Sequence, residues 1–295
     1  MASMPRVQDA VFSSVALAPP SVLLEQRDND EIILQNSIPL SDYPRQFNDA
    51  LRAWARKAPG RTFLAERTAD GSWRKLSYAD AARLADRISQ TLIARGYGSE
   101  NPVAALCDNC INMALLKLGA MQVGIPFLPI SPAYSLLSEN FAKLKYVIAT
   151  FTPHLIYVPS LAPFARALQA LPLDGVELVA DTPHSDWPDA IPFDDLLSVA
   201  PTAAVEERYA QVGPDTVAKI LLTSGSTGMP KGVINTQRML CANGASIDLV
   251  WPFLAQRPPV IVDWLPWNHT FGTNFNFNQI LRHGGTMWID VGKPV

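Results

Sequence analysis

Ten consecutive residues hold the densest chemistry in this chain: Thr223-Ser224-Gly225-Ser226-Thr227-Gly228-Met229-Pro230-Lys231-Gly232. Glycines let a backbone approach an anion with no Cβ in the way. Consecutive N–H groups and hydroxyls supply donors for phosphate oxygens, and Lys231 adds a mobile positive charge suited to a polyphosphate. The apolar run Val217 to Leu222 before the loop predicts a buried strand, and Thr236 to Trp251 after it predicts a helix. Strand, Gly/Ser/Thr-rich loop and helix is the layout of a phosphate-binding turn. The common nucleotide loop requires Gly-Lys-Ser/Thr, with the hydroxyl on magnesium. Here Pro230 precedes the lysine and Gly232 follows it, so the mechanics of that loop do not transfer.

The elements that must position such a loop are legible along the chain. Residues 1 to 36 read as a peripheral segment. Gln46 to Lys57 predicts a helix with Phe47, Leu51 and Trp54 or Ala55 on one face. Thr62 to Ala65 and Trp73 to Leu76 predict strands. Ser77 and Asp80 resemble a capping box for a helix carrying Leu84, Ile88 and Leu92, closed at Gly96. Val103 to Cys107, Phe127 to Ile130, Leu155 to Val158 and Val176 to Val179 read as short strands, with helices over Ile111 to Val123 and near Ala162 to Leu171. The expected fold class is α/β, with layered, largely parallel sheets and flanking helices. Residues 182 to 214 read as a Pro- and Asp-rich connection. Val260 to Leu265 and Thr286 to Asp290 are the last predicted strands. The predicted organisation is a first α/β subdomain over 37–214 and the start of a second over 215–295.

Composition narrows the function classes. The chain has 295 residues, 48% of them apolar, enough for a substantial core. Its 24 basic and 27 acidic residues give a net charge of −3, with no block of like charge. Nothing points to nucleic acid or to an anionic membrane surface. No apolar run approaches the length needed to span a bilayer, and the opening segment, broken by Pro19-Pro20, does not read as a signal peptide. The three cysteines fit a reducing compartment, and a cytoplasmic location is expected. Cys107 and Cys110 form a solitary C-x-x-C, which a zinc site would have to supplement from elsewhere. They read as small apolar residues that end a strand and open a helix. His154, His184 and His283 are scattered and receive no role.

The string TSGSTGMPKG resembles the signature loop of the adenylate-forming superfamily, which includes acyl-CoA synthetases, luciferases and peptide-synthetase adenylation domains. Downstream, Asp263-Trp264-Leu265-Pro266-Trp267-Asn268-His269-Thr270-Phe271-Gly272 resembles that superfamily's LPxxH-like motif. With INTQRMLCAN, GGTMWIDVGKP, PRQFNDALRAWARKAPGRTFLAER and SPAYSLLSENFAKL, the chain is similar to the feruloyl-CoA synthetase branch over roughly residues 37 to 295. The resemblance implies the large N-terminal domain of an acyl-CoA synthetase. It implies activation of a hydroxycinnamic acid with ATP, then transfer to coenzyme A, with Mg2+ held by ligands outside this chain. It places Thr223, Ser224, Gly225, Ser226, Thr227 and Gly228 around the β- and γ-phosphates, with Lys231 neutralising their charge. His269 would stand near the acyl carboxylate and the α-phosphate. Trp267 and Phe271 would line or support an aromatic-acid pocket, or simply pack in the core. Asn268 either orients His269 or holds a turn, and Asp263 reads as a structural partner.

Family members continue past the motifs found here, with a YGxTE-like region, an acidic ribose contact, a hinge and a C-terminal lysine. The chain therefore reads as an N-terminal portion, catalytically incomplete alone, with an open sheet edge. Two other readings stand beside the hydroxycinnamate ligase: a ligase for another aromatic or a fatty acid, and a non-catalytic nucleotide-binding remnant. Oligomeric state has no signature in the sequence.

Overall fold

A computed structural model describes residues 14–182, 184–224 and 228–292. Its first elements are a hairpin of β1 (Val22–Gln26) and β2 (Ile32–Asn36), then α1 (Asp49–Lys57), β3 (Thr62–Arg67), β4 (Trp73–Ser77) and α2 (Tyr78–Ala94). The middle of the chain alternates: β5 (Val103–Leu106), α3 (Ile111–Met121), β6 (Phe127–Ile130), α4 (Ala133–Leu136), α5 (Ala142–Phe151), β7 (Leu155–Ser160), α6 (Ala165–Gln169) and β8 (Glu177–Thr182). Next come β9 (Ile191–Pro192), α7 (Ala203–Gln211), β10 (Val217–Ser224), β11 (Pro230–Thr236), α8 (Gln237–Val250) and β12 (Val260–Asp263). A π-helix over Phe271–Phe277 runs into α9 (Asn278–His283), and β13 (Thr286–Ile289) is last.

Local chemistry explains several of these boundaries. The Ser77 hydroxyl accepts from the Asp80 N–H and donates to the Asp80 carboxylate at 2.7 Å, which starts α2 as the capping pattern predicts. The helix ends one residue before Arg95, and Gly96 turns the chain at φ +78°. Thr236 caps α8 by accepting from the Met239 N–H at 3.3 Å. The helix thus begins where the sequence predicts.

Besides the two-stranded β1–β2 sheet, the strands build two larger sheets. The larger has the order β11-β10-β6-β5-β7-β8-β9, with β10, β6, β5, β7, β8 and β9 mutually parallel and β11 antiparallel at one edge. Strand β5 is the origin of the winding: the chain leaves it for β6 on one side and returns to β7 on the other. Alternate residues of the central strands enter two cores. Val103, Ala105, Tyr157 and Val179 pack with α2 and α3, while Ala104, Leu106, Ile156 and Val158 pack with α5 and α6. Such strands are buried on both faces and read as continuous apolar runs. The smaller sheet has the order β12-β13-β3-β4.

Three expectations change in three dimensions. Residues 182–214 are more than a connection, because they contribute β9 and α7. Residue 214 does not separate the sheets: β10 and β11 extend the sheet founded by β5, whereas β3 and β4 pair with β13 from the far end of the chain. Finally, the strand–loop–helix layout is not what forms. The Gly/Ser-rich loop joins β10 to β11 in an antiparallel hairpin, with Thr223 opposite Lys231 and Ser224 opposite Pro230. The β-branched residues of Gly232-Val233-Ile234-Asn235-Thr236 favour a strand, so a whole strand intervenes before the helix.

Candidate active site

The hairpin places the first group of predicted residues. Thr223 and Lys231 face each other across β10 and β11, and the Thr223 hydroxyl lies 3.4 Å from the Lys231 carbonyl oxygen. Both residues are exposed. Gly225, Ser226 and Thr227 lie outside the described residues, and Ser224 is described in its backbone alone. Gly228 begins the return at φ +83°. Gly232 has a different reason to be glycine: a Cβ there would lie 2.5 Å from Cζ of Phe151. The ring of the last residue in α5 therefore packs against the backbone of β11, directly beneath the strand that presents Lys231.

The second group sits on the turn after β12. Asp263, buried at the end of that strand, organises it. One carboxylate oxygen accepts from the Leu265 N–H at 3.3 Å and from Asn276 Nδ2 at 2.7 Å, and the other from Trp267 Nε1 at 3.4 Å. Asp263 thus acts as a structural partner. The backbone then folds back, with His269 N donating to Pro266 O at 3.0 Å and Thr273 N to His269 O at 3.1 Å. Gly272 makes this possible, since a Cβ would meet the Pro266 carbonyl oxygen at 2.5 Å. The π-helix starts there, a widened turn of the kind that often marks functional segments.

The three candidate side chains of this turn part company. His269 is exposed, and Phe271 is 56% exposed. Phe271 stacks on Phe275 with centroids 5.0 Å apart, and Trp251 meets Phe275 edge-on at 5.5 Å. Trp267 is only 1% exposed and packs edge-to-face on Phe277 at 5.0 Å. Trp267 is thus packed in the core, whereas His269 is exposed. Among the described residues, neither Lys231 nor His269 makes a side-chain hydrogen bond or ion pair.

Several positioning contacts have no signature in the sequence. Asn109, in the loop after β5, donates from Nδ2 to Leu265 O at 2.8 Å and accepts from Trp267 N at 2.8 Å. Its amide thereby fixes both ends of the Leu265–Trp267 segment that leads to His269. Asn274, on the π-helix, donates to Asn235 Oδ1 of β11 at 2.8 Å and to Thr270 Oγ1 at 3.1 Å. Lys219 of β10 donates to Thr273 Oγ1 at 3.0 Å. The β10–β11 hairpin and the His269 turn are therefore joined through Lys219–Thr273 and Asn235–Asn274.

Lys219 and Lys117 are the unexpected members of this region. Each is 1% exposed. Burial lowers the Lys219 ammonium to about 7. Burial, with Lys219 nearby, holds Lys117 well below the usual lysine range. Lys117 has no hydrogen-bond partner among the described residues; its Nζ sits 3.0 Å from the Phe277 ring centroid and 5.2 Å from that of Trp267. Aromatic faces attract a cation, but they do not replace its lost hydration.

No cluster of three or more His, Cys, Asp or Glu side chains that could hold a metal occurs among the described residues. Nor is any described helix long and apolar enough to cross a membrane.

Comparison with known proteins relates this geometry to a family. The indoleacetate–CoA ligase of Aromatoleum aromaticum is 32% identical over 218 residues, covering 72% of this chain and 40% of that protein. The sulfoacetate–CoA ligase of Cupriavidus necator is 31% identical, covering 72% of this chain and 39% of that protein. A non-canonical nonribosomal peptide synthetase, CymA of Salinispora arenicola, is 29% identical over 71% of this chain and 2% of its own length. The chain thus spans about two fifths of the CoA ligases it matches. Among solved structures, apo MbtA of Mycobacterium smegmatis superposes with a TM-score of 0.68 at 20% identity, covering 84% of this chain and 44% of that one. A putative long-chain-fatty-acid CoA ligase of Rhodopseudomonas palustris gives 0.66 at 22% identity, covering 84% and 58%. These likenesses show the fold, an α/β domain of mostly parallel sheets with flanking helices. The AMP-binding enzyme model matches residues 51–293, most of the chain, and the protein belongs to the AMP-binding enzyme family.

Proposed function

We propose that this chain is the nucleotide- and acid-binding part of an ATP-dependent acid–thiol ligase, acting on a hydroxycinnamic acid such as ferulate. The observation that carries the reading is the linkage of two exposed groups. The hairpin bearing Thr223 and Lys231 is joined by one buried and one partly buried polar contact to the turn bearing His269. In the first step a carboxylate oxygen attacks the α-phosphorus of ATP and the bond to pyrophosphate breaks. In the second, a coenzyme A thiolate attacks the acyl carbon and AMP leaves.

In this reading Ser224 to Gly228 donate to the β- and γ-phosphates, and Lys231 offsets their charge as pyrophosphate departs. Lys231 makes no ion pair among the described residues. His269 orients the carboxylate. The exposed Phe271–Phe275 stack offers a flat apolar face to a planar ring, which supports an aromatic acid over a small polar one. The whole protein's substrate, its use of coenzyme A and its cytoplasmic location belong to this proposal.

The test is acid-dependent ATP–pyrophosphate exchange by the complete gene product, with ferulate, indoleacetate, sulfoacetate and a long-chain fatty acid in parallel. Ferulate should give the fastest exchange, and Lys231→Ala should slow it by about a hundredfold or more, the scale of losing a charge-stabilising group. Exchange driven by a fatty acid alone would replace the hydroxycinnamate reading with that of a fatty-acid ligase. Exchange unaffected by Lys231→Ala would remove Lys231 from the mechanism.

A further inference from the structure

A cavity of about 320 Å³ opens at the end of the four-stranded sheet away from the candidate active site. Trp54, Lys57, Arg61, Gln256, Arg282 and His283 line it, and no carboxylate does. Arg61 immediately precedes β3, and Gln256 and His283 shortly precede β12 and β13. These three strands run parallel, so the cavity sits at their amino ends. The turn that carries His269 leaves from the carboxyl end of β12, at Asp263. The length of that strand, about 13 Å, separates the two places.

Trp54 is the frame on which the cations are set. Its Nε1 donates to Arg282 O at 3.0 Å. Gly284 packs on the indole, where a Cβ would lie 2.4 Å from Cδ2. Lys57 Nζ stands over the ring at 4.6 Å from its centroid, and Arg61 Cζ at 5.3 Å. Arg61 Nη1 also donates to Gly284 O at 3.0 Å. Arg282 Nε donates to Asp248 Oδ2 at 2.7 Å, and His283 Nε2 lies 3.0 Å from Asp248 Oδ1. One carboxylate thus serves Arg282 and His283, while Lys57 and Arg61 form no ion pair among the described residues. Cations in the last turn of a helix complement its dipole, and Lys57, Arg282 and His283 hold such positions in α1 and α9. That placement does not account for Arg61, which lies beyond α1. Nor does it account for three permanent cations lining one cavity with no acid among them. Their mutual repulsion is relieved only when an anion enters.

We infer that this cavity is a second anion site, apart from the Gly/Ser-rich loop, that takes the phosphate or diphosphate group of a small soluble molecule. The indole is already covered by Gly284 and by the two cations, so it offers no stacking surface to a base. What the cavity presents is donors: the Lys57 ammonium, the remaining N–H groups of Arg61 and Arg282, and the Gln256 amide. Guanidinium forks match phosphate oxygens, and an ammonium adds a point charge. His283 is buried and Arg282 partly buried, so little side-chain ordering is needed on binding. A diphosphate carries more charge than a phosphate and reaches more of the cations, so it is the better ligand.

The test acetylates the lysines of the chain with an N-hydroxysuccinimide ester at fixed ionic strength. Mass spectrometry follows Lys57 as inorganic pyrophosphate is added. Lys57 should be protected saturably by pyrophosphate, more weakly by inorganic phosphate, and not by chloride. Lys231→Ala should leave this protection unchanged, which separates the cavity from the Gly/Ser-rich loop and from the ligase proposal. Arg61→Gln should weaken it about tenfold, the scale of one charge-assisted contact. Gln256 is exposed, and its side chain makes no hydrogen bond among the described residues. Gln256→Glu therefore adds a negative charge to the cavity without disturbing the fold, and it should weaken protection by a similar factor. Acetylation of Lys57 that ignores pyrophosphate, or equal protection by chloride, would overturn the inference. So would protection lost in Lys231→Ala, or undiminished in both cavity variants. Protection by phosphatidylcholine vesicles containing phosphatidic acid, with none by pyrophosphate, would assign the phosphate to a lipid surface and overturn a small-molecule site.

Discussion

Replacing Lys219 with methionine should make the fold more stable, by an amount that depends on pH in a defined direction. The buried ammonium has a folded-state value of about 7 against an ordinary 10.5. Between those values the unfolded chain binds more protons than the folded one, so wild-type stability must rise with pH across the interval. Below about pH 7 the folded state carries the whole penalty, and near pH 10.5 the penalty has gone. The difference amounts to about 4 kcal/mol at pH 7 and a few tenths of a kcal/mol at pH 10.5. Methionine fills similar volume with no charge, but it strands the Thr273 hydroxyl that Lys219 now engages at 3.0 Å. That loss costs about 1 kcal/mol. The net expectation is stabilisation of about 3 kcal/mol near pH 7, falling to about zero or slightly negative near pH 10.5. Lys117 stays in both proteins, so its own titration largely cancels in the comparison. Urea unfolding of wild type and Lys219→Met at several pH values gives the difference from the midpoints and slopes. A stability difference that stays constant from about pH 7 to 10, or that is destabilising throughout, refutes a desolvated Lys219 whose folded-state value is lowered to about 7.

Two further outcomes follow from close contacts. Gly232→Ala should destabilise the hairpin by about 1–3 kcal/mol, because its Cβ must displace the Phe151 ring; pairing it with Phe151→Leu should recover part of the loss, and an undisturbed midpoint in the single variant would contradict the packing. Asn109→Ala leaves the Leu265 carbonyl and the Trp267 N–H without their partner, at a cost of about 2 kcal/mol. Hydrogen exchange at Trp267 should quicken with it, and an unchanged rate would show that the clamp does not hold that turn.

What the sequence determined by itself is local. The order Gly/Ser/Thr, Pro230, Lys231, Gly232 is enough, from residue chemistry alone, to propose an anion-binding segment. Ser77 with Asp80 starts α2, Thr236 starts α8, and the apolar runs of β5, β6, β7 and β8 give an α/β sheet, because caps and periodicity act over a few residues. Partnership required the tertiary structure. That β3 pairs with β13 and β10 with β6 depends on chain ends meeting across long separations, which no local pattern encodes. The same limit hid the strand at Pro230–Thr236, whose extended form is stabilised by pairing with β10. At the site, only packing decides that Trp267 turns inward while Phe271, four residues on, lies against solvent. Asn109 reaches Leu265 and Trp267 from more than 150 residues away, and an asparagine in a loop looks the same whether it faces water or a distant backbone. Lys117 and Lys219 read in sequence as the polar members of their elements. Their burial is imposed by the neighbours on every side, and the desolvation that follows is a property of the assembled core.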